Sequence, residues 1–265
     1  MQGTDRAPLT SLHFPTSRQP FTFDTLTMIL RHLHLPGVVP YTAAAKIQDR
    51  LVSQLLAYKA SPKTISPPDP TIITAQFQPV YTCGRREVGA VSEDQKKYLT
   101  QKTPWGSAQF HEALRGGQTT FHGPGQLIAY PIIDLKRHSL TARCYVRHLE
   151  KSVISLLKNE YAIEARTTED PGVWTDETNK ICAVGVHMRR NVSSHGIGLN
   201  VTTELGWFDR IVACGLEGKN TTSLEWQGVT AGLDVEYVGS LFVKHFLEGL
   251  HGVEEVKRVK ETDLD

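Results

Sequence analysis

Cysteine is scarce in this chain, and its spacing argues against two classes of site. Only four cysteines occur in 265 residues, namely Cys83, Cys144, Cys182 and Cys214, and no two form a C-x-x-C pair. Zinc sites and disulfide scaffolds need closely paired or more numerous cysteines. The pattern is typical of free thiols in a reducing compartment. No histidine set with metal-ligand spacing emerges either, so the sequence predicts no metal site and implies no cofactor.

Excess charge and long apolar runs are also lacking. The chain carries 29 basic and 28 acidic residues, a net charge of +1, which gives no argument for binding to nucleic acid or to a membrane surface. No segment approaches the roughly 18 apolar residues of a membrane-spanning helix. The N-terminus has no charged-then-apolar signal peptide. We therefore expect neither nucleic acid nor membrane as a partner.

Hydrophobic periodicity predicts an α+β fold. Apolar residues recur at steps of three and four over 41–59 and 141–161, which favours helices, and a further helix is predicted over 235–250. Strand-like segments cover 29–35, 71–82, 127–133, 180–188 and 196–201. Because strands and helices do not alternate strictly, a mixed or antiparallel sheet flanked by helices is expected. We predict one folded domain over residues 28–255, after a Ser-, Thr- and Pro-rich extension (1–27) and before a polar tail (256–265).

The glycine-rich stretch Arg115–Tyr130, RGGQTTFHGPGQLIAY, is the most distinctive in the chain. Glycine is used where a backbone must turn or closely approach another group. The stretch lacks the Gly-Lys-Ser/Thr ending of a P-loop and the G-x-G-x-x-G spacing of dinucleotide sites. Two interpretations remain open, a backbone wrapped around a ligand and an ordinary Gly/Pro surface loop.

Five other residues attract attention as chemical groups. Cys214 precedes a glycine, which could present its thiol at a turn, although cysteine is more often a buried structural residue. Lys180 begins the apolar segment KICAVGV, either as a solvated end of a strand or as a base in a dry site. Cys182 lies two residues further on and competes for the nucleophile role. His122 and His195 are each followed by glycine and are predicted either as acid/base groups or, preferably, as walls of a pocket.

Four motifs in order resemble the lipoyl(octanoyl) transferases of the biotin/lipoate protein ligase superfamily. They are RGGQTTFHGPGQLIAYP, PGVWTDETNKICAVGV, SSHGIGLNV and FDRIVACGLEG, and the similarity extends over roughly residues 35 to 250. The resemblance implies a biotin/lipoate ligase-like fold. It also implies transfer of octanoyl from octanoyl-acyl carrier protein to a lysine of lipoyl domains through a cysteine thioester, the first step of endogenous protein lipoylation.

The resemblance assigns a role to each motif. It places the nucleophile on Cys214 and its activating lysine on Lys180. The implied substrate-binding residues are Arg115, Gly116, Gly117, Gln118, Thr119, Thr120, Phe121, His122, Ala183, Val184, Gly185, Gly196, Ile197 and Gly198. One departure is Gly198, where many members have alanine, which leaves the acyl-chain preference open. Backbone N–H groups near Gly185 or in the glycine loop are candidates for an oxyanion hole.

The implied protein substrates are the acyl carrier protein and the lipoyl domains of 2-oxoacid dehydrogenase E2 subunits and glycine cleavage H protein. Two basic groups, Lys136–His138 and Arg189–Arg190, are expected to border the pocket and attract such acidic proteins. The N-terminal extension and the family together favour a mitochondrial location over a cytoplasmic one. Two alternatives remain: an ATP-dependent lipoate or biotin ligase of the same superfamily, and a non-catalytic module that binds acyl chains or lipoyl domains.

Overall fold

The computed structural model describes residues 28–211 and 218–264. The predicted extension over residues 1–27 and the predicted nucleophile Cys214 lie outside the described residues. The helices are α1 (Tyr41–Ala60), α2 (Glu93–Thr100), α3 (Ala142–Tyr161) and α4 (Val235–Leu247). The strands are β1 (Met28–Val39), β2 (Thr71–Phe77), β3 (Val80–Cys83), β4 (Gln109–Glu112), β5 (Thr120–His122), β6 (Gln126–Ile132), β7 (Val173–Trp174), β8 (Asn179–Arg189), β9 (Val192–Asn200), β10 (Asn220–Thr221) and β11 (Val253–Val259).

A mixed sheet of eight described strands forms the centre of the molecule. Its order is β10-β8-β9-β6-β2-β1-β11, and β7 pairs with β8 beside this path. The pairs β2/β6, β6/β9 and β8/β9 are antiparallel, whereas β1 pairs in parallel with β2 and β11. A smaller sheet has the order β4-β3-β5. The α+β class and the mixed sheet flanked by helices are therefore confirmed.

Helices cover both faces of the large sheet. Helices α3 and α4 pack on one face, where Leu149, Val153 and Phe246 belong to a core with strand residues such as Leu127. Helix α1 covers the opposite face through Ile47, Leu51 and Leu55, which pack with the neighbouring strand residues Ile73 and Ile128. Consecutive residues of β6 thus face different cores, as the two-residue period of a strand requires.

Polar side chains mark where three helices begin. The side chains of Ser92, Thr141 and Asp234 accept hydrogen bonds from backbone N–H groups in the first turns of α2, α3 and α4. Such N-cap bonds satisfy donors that have no partner inside the helix and typically contribute about 1 kcal/mol each. The predicted starts at 141 and 235 agree with these caps to within one residue.

Several element boundaries differ from the prediction. Strand β1 continues through Pro36 and Gly37, because its pairing with β2 shifts register between His34 and Val38 and so absorbs the turn. Helix α2 has only one buried residue, Leu99, and therefore shows no apolar period. Strand β11 crosses the domain boundary predicted at residue 255, and Leu264 is buried. Among the described helices, none is long and apolar enough to cross a membrane.

Candidate active site

A narrow cavity lies between the β8–β9 hairpin and the glycine-rich segment before β6. It measures about 430 Å³, its open mouth included. All the predicted substrate-binding residues except Thr119 and Phe121 line it, together with Tyr130 and His195. Three segments that are distant in sequence therefore meet at one cavity, as the resemblance implied, because β9 lies between β8 and β6 in the sheet.

Arg115 holds the glycine-rich segment in place. Its guanidinium donates to the hydroxyl and the carbonyl of Thr82 on β3, and to the carbonyls of Gly116 and Gln118. The side chain is 6% exposed. Buried charges are tolerated where hydrogen bonds replace the lost water. The four acceptors show that Arg115 shapes the loop as well as contributing to the cavity wall.

Two glycines allow the close packing around the cavity. A Cβ atom on Gly196 would lie 2.2 Å from the carbonyl oxygen of Ala129 on β6. One on Gly185 would lie 3.2 Å from both Gly116 O and the Arg115 side chain. Since real side chains essentially never approach a backbone oxygen as closely as the first distance, Gly196 is required by the fold. Gly185 brings the glycine-rich segment against β8, where Gly116 N donates to Val186 O at 3.0 Å.

His122 ends a hydrogen-bonded chain of buried groups. Its Nδ1 lies 2.7 Å from Gln126 Oε1, and Gln126 Nε2 donates to Asn200 Oδ1 at 2.8 Å. Asn200 Nδ2 in turn donates to the carbonyl of Thr222. Gln126 therefore accepts from His122, which makes Nδ1 the protonated nitrogen of the neutral ring. Burial, aided by the nearby Arg115, lowers the pKa of His122 to about 4.

His195 is held in an unusual backbone conformation in the middle of β9. Its φ angle is +57°, a region that non-glycine residues enter rarely. The backbone N–H donates to Gln48 Oε1 on α1 at 2.6 Å, and the ring packs against Tyr130. Burial, followed by the charge of Arg115, lowers the pKa of His195 to about 3. Both pocket histidines are consequently neutral near pH 7, in agreement with the predicted wall role.

Lys180 lies at the start of β8 and is buried, with 7% exposed surface. Its Nζ is 4.5 Å from the centre of the Trp174 ring on the paired strand β7. Among the described residues its ammonium has no hydrogen bond and no ion pair. The structure therefore places Lys180 in a dry environment, not at a solvated strand end, with an aromatic face as its partner.

The three described cysteines differ in exposure. Cys83 and Cys182 are buried, and burial raises the pKa of each thiol. Cys144 is exposed at the start of α3, where the Thr141 cap lowers the pKa of its thiol. The raised pKa of Cys182 argues against it as the competing nucleophile, because the thiolate is the reactive form.

Two predicted cavity residues have other partners. Thr119 donates from its hydroxyl to Glu87 at 2.9 Å. Phe121 stacks on Trp207 with ring centres 4.9 Å apart, in a separate core. Tyr130 lines the cavity in their place. In the sequence, only the alternation of side chains along β6 could have indicated this, because β6 pairs with the strand that carries Gly196 and Gly198.

Neither of the two predicted basic groups lines the cavity. Arg137 bonds the carbonyl of Pro68, and His138 is buried against the carbonyl of His251. Arg189 lies at the far end of the β8–β9 hairpin, four residues beyond Gly185. A groove that shares Arg115, Gly116 and Gly117 with the cavity is instead lined by Arg85, Arg86 and His187. Within the described ranges, neither Arg85 nor Arg86 forms an ion pair.

A metal site finds no support in the described ranges, where no group of three or more His, Cys, Asp or Glu side chains is arranged to hold an ion. The described part of the candidate site therefore comprises the cavity, with Arg115 in its wall, and the buried Lys180.

Comparison with known proteins identifies the family of the chain. Residues 40–247 match the family model described as the lipoyl protein ligase A/B catalytic domain. The chain belongs to this family. A Schizosaccharomyces pombe protein named "Probable octanoyltransferase" is 50% identical over 196 residues, which are 74% of this chain and 85% of that protein. The human mitochondrial octanoyl-[acyl-carrier-protein]:protein N-octanoyltransferase is 38% identical over 195 residues, 71% of this chain and 80% of that protein.

Solved structures of the lipoyl ligase family share the fold. Lipoate-protein ligase A bound with ATP superposes with a TM-score of 0.65 at 16% identity, covering 89% of this chain and 92% of that chain. A bi-partite lipoate protein ligase from Thermoplasma acidophilum gives a TM-score of 0.57 at 16% identity, with 89% of each chain covered. The biotin/lipoate ligase-like fold expected from the sequence is confirmed.

Proposed function

We propose that this family member is an acyltransferase that moves an octanoyl group from octanoyl-acyl carrier protein to a lysine of lipoyl domains. The observation that carries the proposal is the 50% identity to a relative named as an octanoyltransferase, across 85% of that relative. The cavity supports it, because the stretches Ala183–Gly185 and Gly196–Gly198 give it an apolar side that suits an unbranched acyl chain. We assign the activity to the folded domain, which was predicted over residues 28–255 and includes the whole of β11.

Cys214 is the proposed nucleophile and Lys180 its proton acceptor. The Cys214 thiolate attacks the thioester carbonyl, and the carrier's thiol leaves and receives the proton that Cys214 gave to Lys180. The substrate lysine then attacks the new thioester. An amide bond forms, Cys214 leaves as a thiolate, and Lys180 accepts the proton of the amine. Because the acyl group arrives as a thioester, no ATP is consumed.

The surroundings of Lys180 support this role. Lys180 is 7% exposed, so its ammonium has little contact with water. The Trp174 face offers the ammonium form partial compensation without an acidic partner that would fix the proton. Lys180 can therefore approach the thiol and the incoming amine without first breaking an ion pair to a described residue.

The acceptors are proposed to be the lipoyl domains of 2-oxoacid dehydrogenase E2 subunits and glycine cleavage H protein. Several relatives are named mitochondrial, including those of human and Saccharomyces cerevisiae. We extend this location to the present chain as part of the proposal.

Intact-protein mass spectrometry tests the function directly. Incubation with octanoyl-acyl carrier protein in the absence of ATP should add one octanoyl group, and a lipoyl domain should then remove it. Cys214→Ala should abolish the adduct, whereas Cys144→Ala, the matched change at an exposed thiol, should retain it. An adduct that requires ATP, or modification of the lipoyl domain only with free octanoate and ATP, would identify an adenylating ligase instead. Absence of any adduct or transfer in the folded protein would favour a binding module.

A further inference from the structure

The wall of the cavity contains a polar atom without a partner. His195 Nδ1 is buried and makes no hydrogen bond to any described residue. The residue is 6% exposed, so bulk water does not reach it freely. An unpaired buried polar group is destabilising, and most buried polar groups in native proteins are paired with protein atoms, water or a ligand. A partner for Nδ1 is therefore expected inside the cavity.

His195, which lines the cavity, has an energetically unfavourable backbone conformation. A left-handed φ in a residue other than glycine is unfavourable and persists only where the surroundings enforce it. Gln48 enforces it here, through the bond from its Oε1 to the backbone N–H of His195. Such strain is concentrated at ligand sites, which points to a role for the ring beyond packing.

The register of the hairpin places His195 at the end of the cavity away from Lys180. His195 lies opposite Val186, one pair beyond Gly185 and Gly196. At about 3.3 Å per residue, Lys180 and Val186 are roughly 20 Å apart along β8. An acyl chain whose carbonyl reacts beside Lys180 would therefore direct its distal carbons towards His195.

Tyr130 adds a second polar group at this end. Its ring centre is 5.3 Å from that of His195, and both residues line the cavity. No hydrogen bond joins its hydroxyl to a described residue. A neutral imidazole nitrogen and a phenol can donate to or accept from one small hydroxyl group between them.

We propose that His195 and Tyr130 form a polar subsite for the distal end of the acyl chain, so that the enzyme also accepts ω-hydroxyacyl thioesters of medium length. The inference rests on the proposed acyl transfer. With octanoyl, whose end is a methyl group, a water molecule occupies the subsite. With 8-hydroxyoctanoyl, the terminal hydroxyl replaces that water and satisfies Nδ1 directly. A site that hydrogen-bonds a substrate hydroxyl distinguishes it from the analogue that lacks one.

The test compares 8-hydroxyoctanoyl and octanoyl thioesters of the same carrier in competition. The measured quantity is the ratio of their kcat/KM values. His195→Phe should lower this ratio about tenfold. His195→Asn, which tolerates the same φ and retains hydrogen-bonding atoms, should lower it less. His138→Phe, a buried histidine outside the cavity, should leave it unchanged. A ratio that stays constant in His195→Phe would overturn the proposal.

Two further measurements keep the outcome clear. Tyr130→Phe removes one oxygen without reshaping the wall, and it should lower the ratio at least threefold even where His195→Phe fails to fold. Calorimetric titration with 8-hydroxyoctanoate and octanoate measures the same preference without turnover. A wild-type protein that binds both acids but transfers neither acyl group would contradict the proposed function alone. Equal affinities in wild type and Tyr130→Phe would contradict the subsite alone.

Discussion

The ammonium of Lys180 lies 4.5 Å from the centre of the Trp174 ring, and this aromatic face is its main contact among the described residues. Trp174 belongs to the two-residue strand β7 and is fully buried. A second cation, Lys219, approaches the same ring at 5.6 Å while it donates to the carbonyl of Glu177. The ring is therefore within reach of two lysines, of which Lys180 is buried and Lys219 is half-buried.

This contact predicts that Trp174 positions Lys180. Trp174→Phe keeps an aromatic face and should reduce kcat no more than about threefold. Trp174→Leu removes the face and should reduce kcat about tenfold, the equivalent of a cation–π contact of roughly 1–2 kcal/mol. Steady-state assays with octanoyl-acyl carrier protein measure both effects. Trp226→Leu, the same exchange at a residue that is 74% exposed, serves as the control. Equal rates in Trp174→Leu and wild type would remove Trp174 from the mechanism.

Thiol labelling should separate the cysteines by their environments. At pH 7, iodoacetamide should modify Cys144 and Cys214 but leave Cys83 and Cys182 unmodified, because burial raises the pKa of the latter two. In a Cys144→Ala background, Lys180→Ala should slow labelling of Cys214 severalfold, since a nearby ammonium stabilises a thiolate. Lys180→Arg should preserve fast labelling but lose transfer, because guanidinium does not release its proton. Peptide mass mapping over time provides the rates, and unchanged labelling in Lys180→Ala would exclude thiol activation by this lysine.

Neighbouring glycines of β9 should respond differently to alanine. Gly196→Ala should destabilise the protein by more than about 2 kcal/mol, because its Cβ would meet Ala129 O. At Gly198 the nearest atom is Gln126 Oε1 at 3.2 Å, and His122 Cε1 follows at 3.5 Å. Gly198→Ala should therefore fold but narrow the cavity and reduce decanoyl relative to octanoyl transfer about tenfold. Urea unfolding tests the loss of stability in Gly196→Ala, and transfer assays with acyl chains of different lengths test Gly198→Ala. An unchanged chain-length profile in Gly198→Ala would show that Gly198 does not contact the acyl chain.

Stability should decrease in mild acid because buried histidines resist protonation. The pKa falls from 6.5 to about 4 in His32 and His122 and to about 3 in His195. Between these values and 6.5 the unfolded chain binds more protons than the folded one, so stability is complete above about pH 7 and is lost as pH falls. Each histidine should contribute a loss of roughly 2 kcal/mol between pH 7 and pH 5. Urea midpoints measured between pH 5 and pH 7 give the slope of stability against pH. His32→Gln should flatten it, whereas His251→Gln at an exposed site should not.

The groove lined by Arg85 and Arg86 should guide acidic protein substrates. Arg85→Glu with Arg86→Glu should raise the KM for octanoyl-acyl carrier protein and reduce its salt dependence, because electrostatic complementarity acts mainly on association. Turnover of a small octanoyl thioester should remain unchanged. Arg189→Glu with Arg190→Glu is the matched control at the hairpin end and should have the smaller effect. A larger effect of the change at Arg189 and Arg190 would place the docking surface at the hairpin end.

Much of the fold could be predicted from local patterns. The apolar repeats of α1 and α3 and the strand runs of β6 and β8 predicted their elements, because one-sided burial leaves a period in the sequence. Helix α2 and the continuation of β1 past Gly37 could not be predicted this way. The former buries almost nothing, and the latter depends on a register shift against β2.

The sequence by itself determined the family and the glycine-rich segment, and it supplied the hypothesis for Lys180, because these are matters of residue type and order. Only the tertiary structure decided that Phe121 belongs to an aromatic core, that Trp174 faces Lys180, and that His195 Nδ1 is buried without a hydrogen bond to a described residue. The physical reason is that burial, contact and backbone strain arise between segments distant in the chain. A local sequence pattern does not show which side chain of a neighbouring strand will lie opposite a given residue.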